Sequence, residues 1–395
     1  MKNPYKSYKM KLTTLSPVFI GGGEELNQGQ YIFNNTTMTA KILDENKFAN
    51  FLNKNNLIDE YSNALIQYGG KINLKKWLEE KRIPLNLPIF SSTIPCKYLT
   101  IKNKDGKTKT ATSLNSIKTF IKNSDGLAYI PGSSIKGAIR TAFCSYLVHK
   151  YKDKFQNEWQ DLKQVLLEKR TNKNKTTQII KRIEKKCFNL IKYDDEKADK
   201  GDIFSTLIIG DSKEIATNNL YITTRLDCAI QKKNPTSMPM NLEVIEPNVD
   251  IQFDLSIDTT SGTYFTIEKI KEILDFYTKQ QINNKIYEKC SENLFSPDEI
   301  SEDGIIPNIC IGGMTGYFNK NIVYSLAPTK QEAINVLREY FANSFPKGGH
   351  QENDFEVAPH TIKAVNDNGD IIPLGWCNIS VEKEINVSDI TDWIK

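Results

Sequence analysis

The sequence predicts an α+β fold divided into two domains, and three observations support this. The chain has 395 residues, and a single hydrophobic core usually stops growing at about 250–300 residues. The composition, 39% hydrophobic and 25% charged, is typical of a globular protein and excludes collagen, coiled coil and bulk disorder. Short β-type runs alternate with helical runs in each half, which favours one sheet with packed helices per domain. We place the domains at residues 1–200 and 201–395.

The N-terminal half is predicted to contain short strands followed by helices. Met10–Leu15 has a strand-like pattern, and the glycines Gly21–Gly23 follow it closely. Tyr31–Phe33 and Met38–Ile42 flank a two-asparagine turn, which predicts a hairpin. The other elements predicted in this half are helices within 46–82, 158–169 and 176–192 and a basic β-hairpin formed by Cys96–Ile101 and Thr108–Thr112.

The clearest helix in the sequence begins at Ser133. Apolar residues recur there at the spacing of an amphipathic helix with one buried face. They are Ile135, Ala138, Ile139, Ala142, Phe143, Tyr146 and Leu147. A serine before such a run commonly caps the first turn, so we predict Ser133 or Ser134 as the N-cap.

The C-terminal half is predicted to begin with strands. Ile203–Ile209, Leu220–Ile230 and Leu242–Ile257 are rich in β-forming residues, and the last of them alternates apolar and polar positions. Residues 232–240 are prone to form a turn, so we predict a long protruding hairpin at 225–246. Helices are predicted at 266–289 and 330–343, with a glycine-containing loop between them.

The charges of the chain are distributed unevenly. The formal net charge is only +4, yet residues 71–122 contain 12 Lys or Arg and 3 Asp or Glu, whereas residues 241–258 contain five acids and no base. Such segregation favours one surface that faces a polyanion. Lysine-rich solvated loops and helix faces would give the same pattern, so charge alone leaves both interpretations open.

The segment Tyr129–Arg140 combines several groups that bind phosphate. A Gly-Ser-Ser turn that leads into a helix offers backbone N–H groups, two hydroxyls (Ser133, Ser134) and the positive end of the helix dipole. Lys136 and Arg140 lie four residues apart on one helical face, where both could reach one phosphodiester chain. An ordinary helix with solvated bases is the alternative. No nucleotide-binding loop of the Walker or dinucleotide type occurs in the sequence.

Two further sets of residues are candidates for contact with nucleic acid. The glycines Gly21, Gly22, Gly23, Gly312 and Gly313 allow close approach of a backbone to a ligand, or simply make tight turns. In the predicted hairpin, thioethers could contact bases while cationic side chains contact phosphates. The hairpin candidates are Arg225, Lys232, Lys233, Met238 and Met240, and the alternative is a hairpin that packs on a neighbouring subunit.

The sequence offers little for catalysis. The three histidines, His149, His350 and His360, form no recognisable pairing with a serine or cysteine, and Asp211-Ser212 after a predicted strand is equally typical of a strand-end turn. We expect no catalytic residue, no metal and no cofactor. The seven widely spaced cysteines suit a reducing compartment. Without an apolar run of signal or membrane length, we expect a cytoplasmic protein that does not bind membranes.

Several blocks together resemble a known family. Leu15–Glu25 and Ile130–Thr141 look like the glycine-rich blocks of the RAMP superfamily of CRISPR RNA-binding proteins. The order of the remaining blocks resembles the fifth-subunit family of type III-A (Csm) effector complexes. These blocks are Ile209–Ser212, Gly312-Gly313, Pro359–Lys363 and Gly375–Asn378.

The resemblance implies a non-catalytic RNA-binding subunit built from two ferredoxin-like (RRM-like) domains with helical insertions. It implies that the chain caps the 3′ end of the guide RNA (crRNA), next to the repeating RAMP backbone subunits, and supports guide maturation and complex assembly. Its partners would include target single-stranded RNA and nucleases acting in trans. The 225–246 hairpin would be the thumb of RAMP proteins. Where relatives often carry histidine, this chain has Phe19. An endoribonuclease that trims guide RNA and a protein-bridging scaffold are the alternatives.

Overall fold

The computed structural model describes residues 5–102, 108–110, 113–189, 201–230, 235–260, 264–282, 294–300, 304–367 and 370–385. The strands are β1 (Tyr5–Thr14), β2 (Gly21–Leu26), β3 (Tyr31–Asn34), β4 (Thr39–Leu43), β5 (Phe90–Pro95), β6 (Thr100–Lys102), β7 (Thr108–Thr110), β8 (Ile117–Phe120), β9 (Leu207–Ile209), β10 (Leu220–Ala229), β11 (Thr236–Ile245), β12 (Asp250–Asp258), β13 (Ile309–Cys310), β14 (Thr361–Asp367), β15 (Asp370–Pro373) and β16 (Trp376–Ile385). The helices are α1 (Glu45–Lys54), α2 (Ile58–Gln67), α3 (Leu74–Glu80), α4 (Gly132–Lys150), α5 (Gln156–Leu167), α6 (Lys173–Phe188), α7 (Ile267–Ile282), α8 (Val323–Leu326), α9 (Lys330–Ser344) and α10 (His350–Asn353). The predicted α+β class is confirmed.

The first large sheet carries the main core of the molecule. Its strand order is β13-β16-β1-β12-β9, and all neighbouring strands are antiparallel. Along the chain, α4 lies between β1 and β9, and α7 lies between β12 and β16. These six elements therefore follow one another as β1-α4-β9-β12-α7-β16, which is the β-α-β-β-α-β order of a ferredoxin-like unit. The buried residues Ile251, Phe253 and Leu255 on β12 pack in the same core as Ile135 and Ile139 of α4. The predicted alternation of the β12 segment is therefore confirmed.

The second large sheet has the strand order β15-β14-β10-β11-β8-β2, which is not a ferredoxin-like order. The expectation of two ferredoxin-like domains is thus not confirmed. Strands from both sides of residue 200 are mixed in both large sheets. The division at residue 200 stays a prediction about domains and does not separate one sheet from the other.

The hairpin at 225–246 differs from its prediction. Its two strands, β10 and β11, pair as expected, but β10 also pairs with β14 at Leu226–Ala229, and β11 pairs with β8. The described part of the hairpin therefore lies inside a sheet, and the expectation of a protruding hairpin is wrong for that part. Met238 and Met240 lie on β11 and not in a turn. Lys232 and Lys233 lie outside the described residues.

Local elements follow the sequence pattern well in the N-terminal half. β3 and β4 form the predicted hairpin and continue to β5, while β6 pairs with β7. The predicted helical stretch 46–82 forms α1, α2 and α3, which bury Phe48, Leu52 and Trp77 in a separate small core. The predicted β-run Ile203–Ile209 is only half correct, because Ile203–Thr206 is a 3₁₀ turn capped by the side chain of Asp202.

The start of α4 also differs from its prediction. Its N-cap is Pro131, without a side-chain cap, and Ser133 and Ser134 lie within the first turn. Proline has no N–H and an extended backbone at this position (φ −60°, ψ 133°), so it ends the preceding segment and starts the helix without a serine cap. No helix in the described ranges combines the length and the apolarity needed to span a lipid bilayer.

Candidate nucleic-acid interface

The sequence-predicted glycine and serine blocks meet around one cavity of about 500 Å³, which we call the glycine cleft. The cavity lies where the start of α4, the start of β2 and the loop after β13 come together. Five of the predicted site residues line it: Gly21, Ser133, Ser134, Gly312 and Gly313. The remaining lining residues are Ile20, Gly137, Ala138, Thr141, Tyr277, Cys310, Ile311, Asn319 and Lys320.

A glycine fixes the start of α4 against the end of β9. A Cβ at Gly132 would lie 2.2 Å from the carbonyl oxygen of Ile209 and 2.6 Å from that of Gly210. The backbone N–H of Gly132 donates to Asp211 Oδ1 at 2.8 Å, and the N–H of Ile130 donates to Ser212 Oγ at 2.8 Å. Asp211 and Ser212 thus hold the helix start in place, which agrees with the strand-end interpretation of this pair. The Gly132 N–H is already bonded to the carboxylate of Asp211. An anion in the cleft would therefore contact the hydroxyls of Ser133 and Ser134 in the first turn of α4.

The second glycine block is pressed against Phe19. Gly312 has φ +84°, and a Cβ there would lie 2.3 Å from the carbonyl oxygen of Phe19. The N–H of Gly313 donates to this oxygen at 2.6 Å. A side chain at Gly312 would therefore be both strained and blocked. Phe19 is buried, with 4% of its surface exposed. Phe19 is therefore a packing residue that contacts both glycine blocks.

Lys320 supplies the cleft with a positive charge that the sequence did not predict. Its side chain is exposed, and its ammonium donates a hydrogen bond to the carbonyl oxygen of Gly312. An ammonium has three donors, so this bond leaves capacity for an anion. Among the described lining residues, Lys320 is the base and none is an acid. No local sequence motif contains Lys320, so sequence reasoning missed it. The 3₁₀ turn Phe318–Lys320 brings it to the cleft.

The remaining polar groups of the cleft are suited to binding and not to proton transfer. Burial raises the pKa of Cys310 to about 12, so its thiol is neutral at neutral pH. Burial also raises the pKa of Tyr277, whose hydroxyl donates to the carbonyl oxygen of Asn319 at 3.2 Å. Ser133 and Gly137 are exposed at the rim. The arrangement offers hydroxyls, accessible backbone and one ammonium to an anionic ligand.

Lys136 and Arg140 share a helical face as predicted, but neither lines the glycine cleft. The guanidinium of Arg140 pairs with Asp202 at 2.7 Å and Glu184 at 3.3 Å, and lies 4.3 Å from the ring centre of Phe188. Burial lowers the pKa of Lys136, an effect that Asp202 opposes and Arg140 reinforces. The structure thus shows internal partners for Arg140, and it sets both bases on a different flank of α4 from Ser133 and Gly137.

A family model described as the RAMP superfamily matches residues 11–296, which is more than half of the 395 residues. The chain belongs to the RAMP superfamily. The match includes both the first glycine block and the start of α4. The glycine cleft is therefore built largely from the RAMP part of the chain, and the loop with Gly312 and Gly313 completes it from outside the matched range.

Three proteins that are similar to this chain share one name, CRISPR system Cms protein Csm5. The protein from Streptococcus thermophilus is 26% identical over 352 residues, covering 86% of this chain and 89% of that protein. The Mycobacterium tuberculosis protein is 22% identical over 396 residues, covering 97% and 100%. The Methanocaldococcus jannaschii protein is 25% identical over 420 residues, covering 96% and 92%.

Two solved structures share the RAMP fold of this chain. One is a chain of a Csm-crRNA-target RNA ternary complex from a type III-A CRISPR-Cas system, studied by cryo-EM. It has a TM-score of 0.66 and 20% identity, with 95% of this chain and 100% of that chain covered. The other is the crystal structure of Csm5 from T. onnurineus, with a TM-score of 0.57, 18% identity and coverage of 93% and 99%.

The remaining predicted residues that the structure describes do not line the cleft. Arg225 on β10 has 12% of its side chain exposed and pairs with Asp227 at 3.3 Å. Its Nη1 lies 4.0 Å from the sulfur of Met240 and 3.5 Å from that of Met314, which follows Gly313. Arg225 and Met240 thus adjoin the second glycine block, while Met238 is half-buried on β11. The last two predicted residues, Gly22 and Gly23, are exposed on the edge strand β2.

Proposed function

We propose that this chain is the Csm5 subunit of a type III-A CRISPR complex and that it holds guide RNA (crRNA) by the sugar–phosphate backbone in the glycine cleft. Three of its relatives are named Csm5, and this chain aligns with most of the length of each of them. A chain of the same fold occurs in a complex that contains crRNA and target RNA. Csm backbone subunits, crRNA and target RNA are the partners that this role requires.

The observation that carries the proposal is the chemistry of the glycine cleft. Two hydroxyls, exposed glycine backbone and the ammonium of Lys320 surround a space whose described lining contains no acid. Such groups commonly contact the phosphate and sugar oxygens of nucleic acids. Binding would therefore be independent of sequence over the nucleotides that contact the cleft, as a subunit that serves guides of different sequence requires.

The finer role that we propose is to cap the 3′ end of the guide and to support its maturation and the assembly of the complex. Nucleases acting in trans would trim the end, because the cleft supplies neutral groups such as Cys310 and no evident general base. The histidines His350 and His360 are buried and outside the cleft. This arrangement favours the non-catalytic role over an endoribonuclease.

The first prediction is that Lys320→Ala weakens binding to labelled single-stranded crRNA. Removal of one phosphate contact should lower the slope of log K against log salt by about 0.7. The measurement is a salt series of filter-binding or anisotropy titrations on the full chain. The control is Lys347→Ala, which removes an exposed lysine that does not line the cleft and should leave the slope unchanged.

The same experiment separates the alternatives. Equal slopes for the Lys320 and Lys347 variants would contradict the glycine cleft as the phosphate site. RNA cleavage by the purified chain, abolished in a histidine or aspartate variant, would contradict the non-catalytic role and favour the endoribonuclease. A complex reconstituted without this chain should lose protection of the guide's 3′ end. Unchanged protection there, together with no RNA binding by the chain, would favour a protein-bridging scaffold.

A further inference from the structure

Two histidines and one aspartate, none of which lines the glycine cleft, form a buried cluster. His350 Nδ1 lies 3.0 Å from Asp354 Oδ2, and His360 Nδ1 contacts the other oxygen, Oδ1. The three ligand atoms lie within 4.8 Å of one another. We propose that His350, Asp354 and His360 bind a divalent transition-metal ion of the zinc class. This site goes beyond RNA binding and does not depend on it.

The charge of Asp354 is the first argument for the ion. The residue is fully buried, and in the described part of the chain its ion-pairing partners are the two histidines, with no lysine or arginine among them. A buried carboxylate is costly unless it is paired or coordinates a metal. A dication bound by one carboxylate and two neutral imidazoles would offset this charge. Imidazole and carboxylate are also the donors that Zn²⁺ accepts in sites with three protein ligands.

The geometry is the second argument. At Zn–N and Zn–O distances of about 2.0–2.2 Å, neighbouring ligand atoms of a tetrahedral site lie roughly 3.3–3.6 Å apart. The 3.0 Å between His350 Nδ1 and Asp354 Oδ2 is close to that spacing, so small side-chain shifts would admit the ion. His350 begins α10, Asp354 directly follows that helix, and His360 directly precedes β14.

The surroundings hold these side chains in place. The ring of Phe341 stacks on His350 with centroids 5.1 Å apart, and the two imidazoles lie 4.8 Å apart. The backbone N–H of His360 donates to Asp354 Oδ1 at 2.9 Å. Next to the cluster, the hydroxyl of Tyr324 donates to the carbonyl oxygen of Ala358 at 2.8 Å. Such supporting contacts fix ligand orientation in metal sites. An ion bound here would link α10 to the start of β14 in the second large sheet.

The test uses the full chain, purified without a histidine tag, loaded with Zn²⁺ and then dialysed against metal-free buffer. We expect about one zinc per chain by mass spectrometry, and a visible Co²⁺ spectrum of a four-coordinate N/O site after exchange. EDTA should lower the melting temperature. A zinc content far below one per chain, with no cobalt bands, would show a metal-free His–Asp–His cluster and overturn the proposal.

Variants locate the ion. His360→Ala and Asp354→Asn should lose the zinc, whereas His149→Ala, at an exposed histidine on α4, should keep it. Circular dichroism shows whether each variant folds, and the wild-type zinc content and cobalt spectrum decide the question if a variant does not. Zinc retained by a folded His360 variant, or thiolate bands in the cobalt spectrum, would place the ion on cysteines and refute this site.

Discussion

Arg140 shows at the level of one residue how a correct spacing leads to different chemistry. Its position four residues after Lys136 does place both bases on one helical face. A guanidinium, however, readily pairs with carboxylates and stacks on aromatic rings. Arg140 makes such contacts with Asp202, Glu184 and Phe188 within the protein. Sequence could not reveal these partners, because they lie more than 40 residues away along the chain.

We therefore predict that Arg140→Ala lowers the free energy of unfolding by about 1–3 kcal/mol, since it removes a cation–π contact and two partly exposed ion pairs. Urea denaturation measures this loss, with Arg170→Ala at an exposed arginine as the control. The salt dependence of RNA binding should not change. A lower salt slope with unaltered stability would instead assign Arg140 to a phosphate.

Lys320 is the opposite case, a residue of the candidate site that the sequence did not single out. It follows Gly312 by eight residues and belongs to no recognisable motif. Only the turn at Phe318–Lys320 and its bond to the Gly312 carbonyl place it in the cleft. Glycine blocks are visible in a sequence because their composition is unusual, whereas a single lysine among 52 Lys and Arg residues is not.

At the level of elements, local pattern predicted what local physics determines. The hairpin β3–β4, the helices α1–α3 and α4, and the alternation of β12 follow from turn residues and hydrophobic period. The start of α4 was missed, since its serines lie inside the helix while Pro131 and the Asp211 carboxylate determine where it begins. Asp211 comes from the end of β9, so tertiary contact and not propensity sets this boundary.

Helix α4 yields a prediction from a matched pair of glycines. Gly132→Ala should destabilise the protein by about 1–3 kcal/mol, because the new Cβ meets backbone carbonyls that side-chain motion cannot move aside. Gly137→Ala, where no atom lies within 4 Å of a Cβ, should stabilise it by roughly 0.5–1 kcal/mol, as expected for a helix interior. Thermal or urea unfolding of the two variants measures both effects. Equal stability of the two would contradict the close packing of α4 on β9.

At the scale of the whole molecule, sequence reasoning did not predict which strands pair with one another. Strand β1 pairs with β12 and β16, whose partner residues lie about 240 and 370 positions further along the chain. Local periodicity carries no information about such distant pairing, because it is set by which buried faces fit together. The same limit applies to the hairpin of β10 and β11, whose neighbours β8 and β14 lie more than 90 residues before it and after it along the chain. Fold class was predictable from pattern, but sheet order was not.

This strand order gives a prediction about the division at residue 200. Residues 1–200 alone retain β1 without β12 or β16, and residues 201–395 alone lose the central strand of their first sheet. An isolated strand leaves its backbone groups and its apolar face uncovered, so neither fragment should show a cooperative thermal transition. Co-expressed fragments should assemble, and a folded chain cut at a protease site inserted at the exposed Gly201 should stay associated in gel filtration. Circular dichroism melts of each fragment provide the measurement. A cooperative melt of residues 1–200 on their own would show that β1 finds sufficient partners within that half, and would support two independently folding domains.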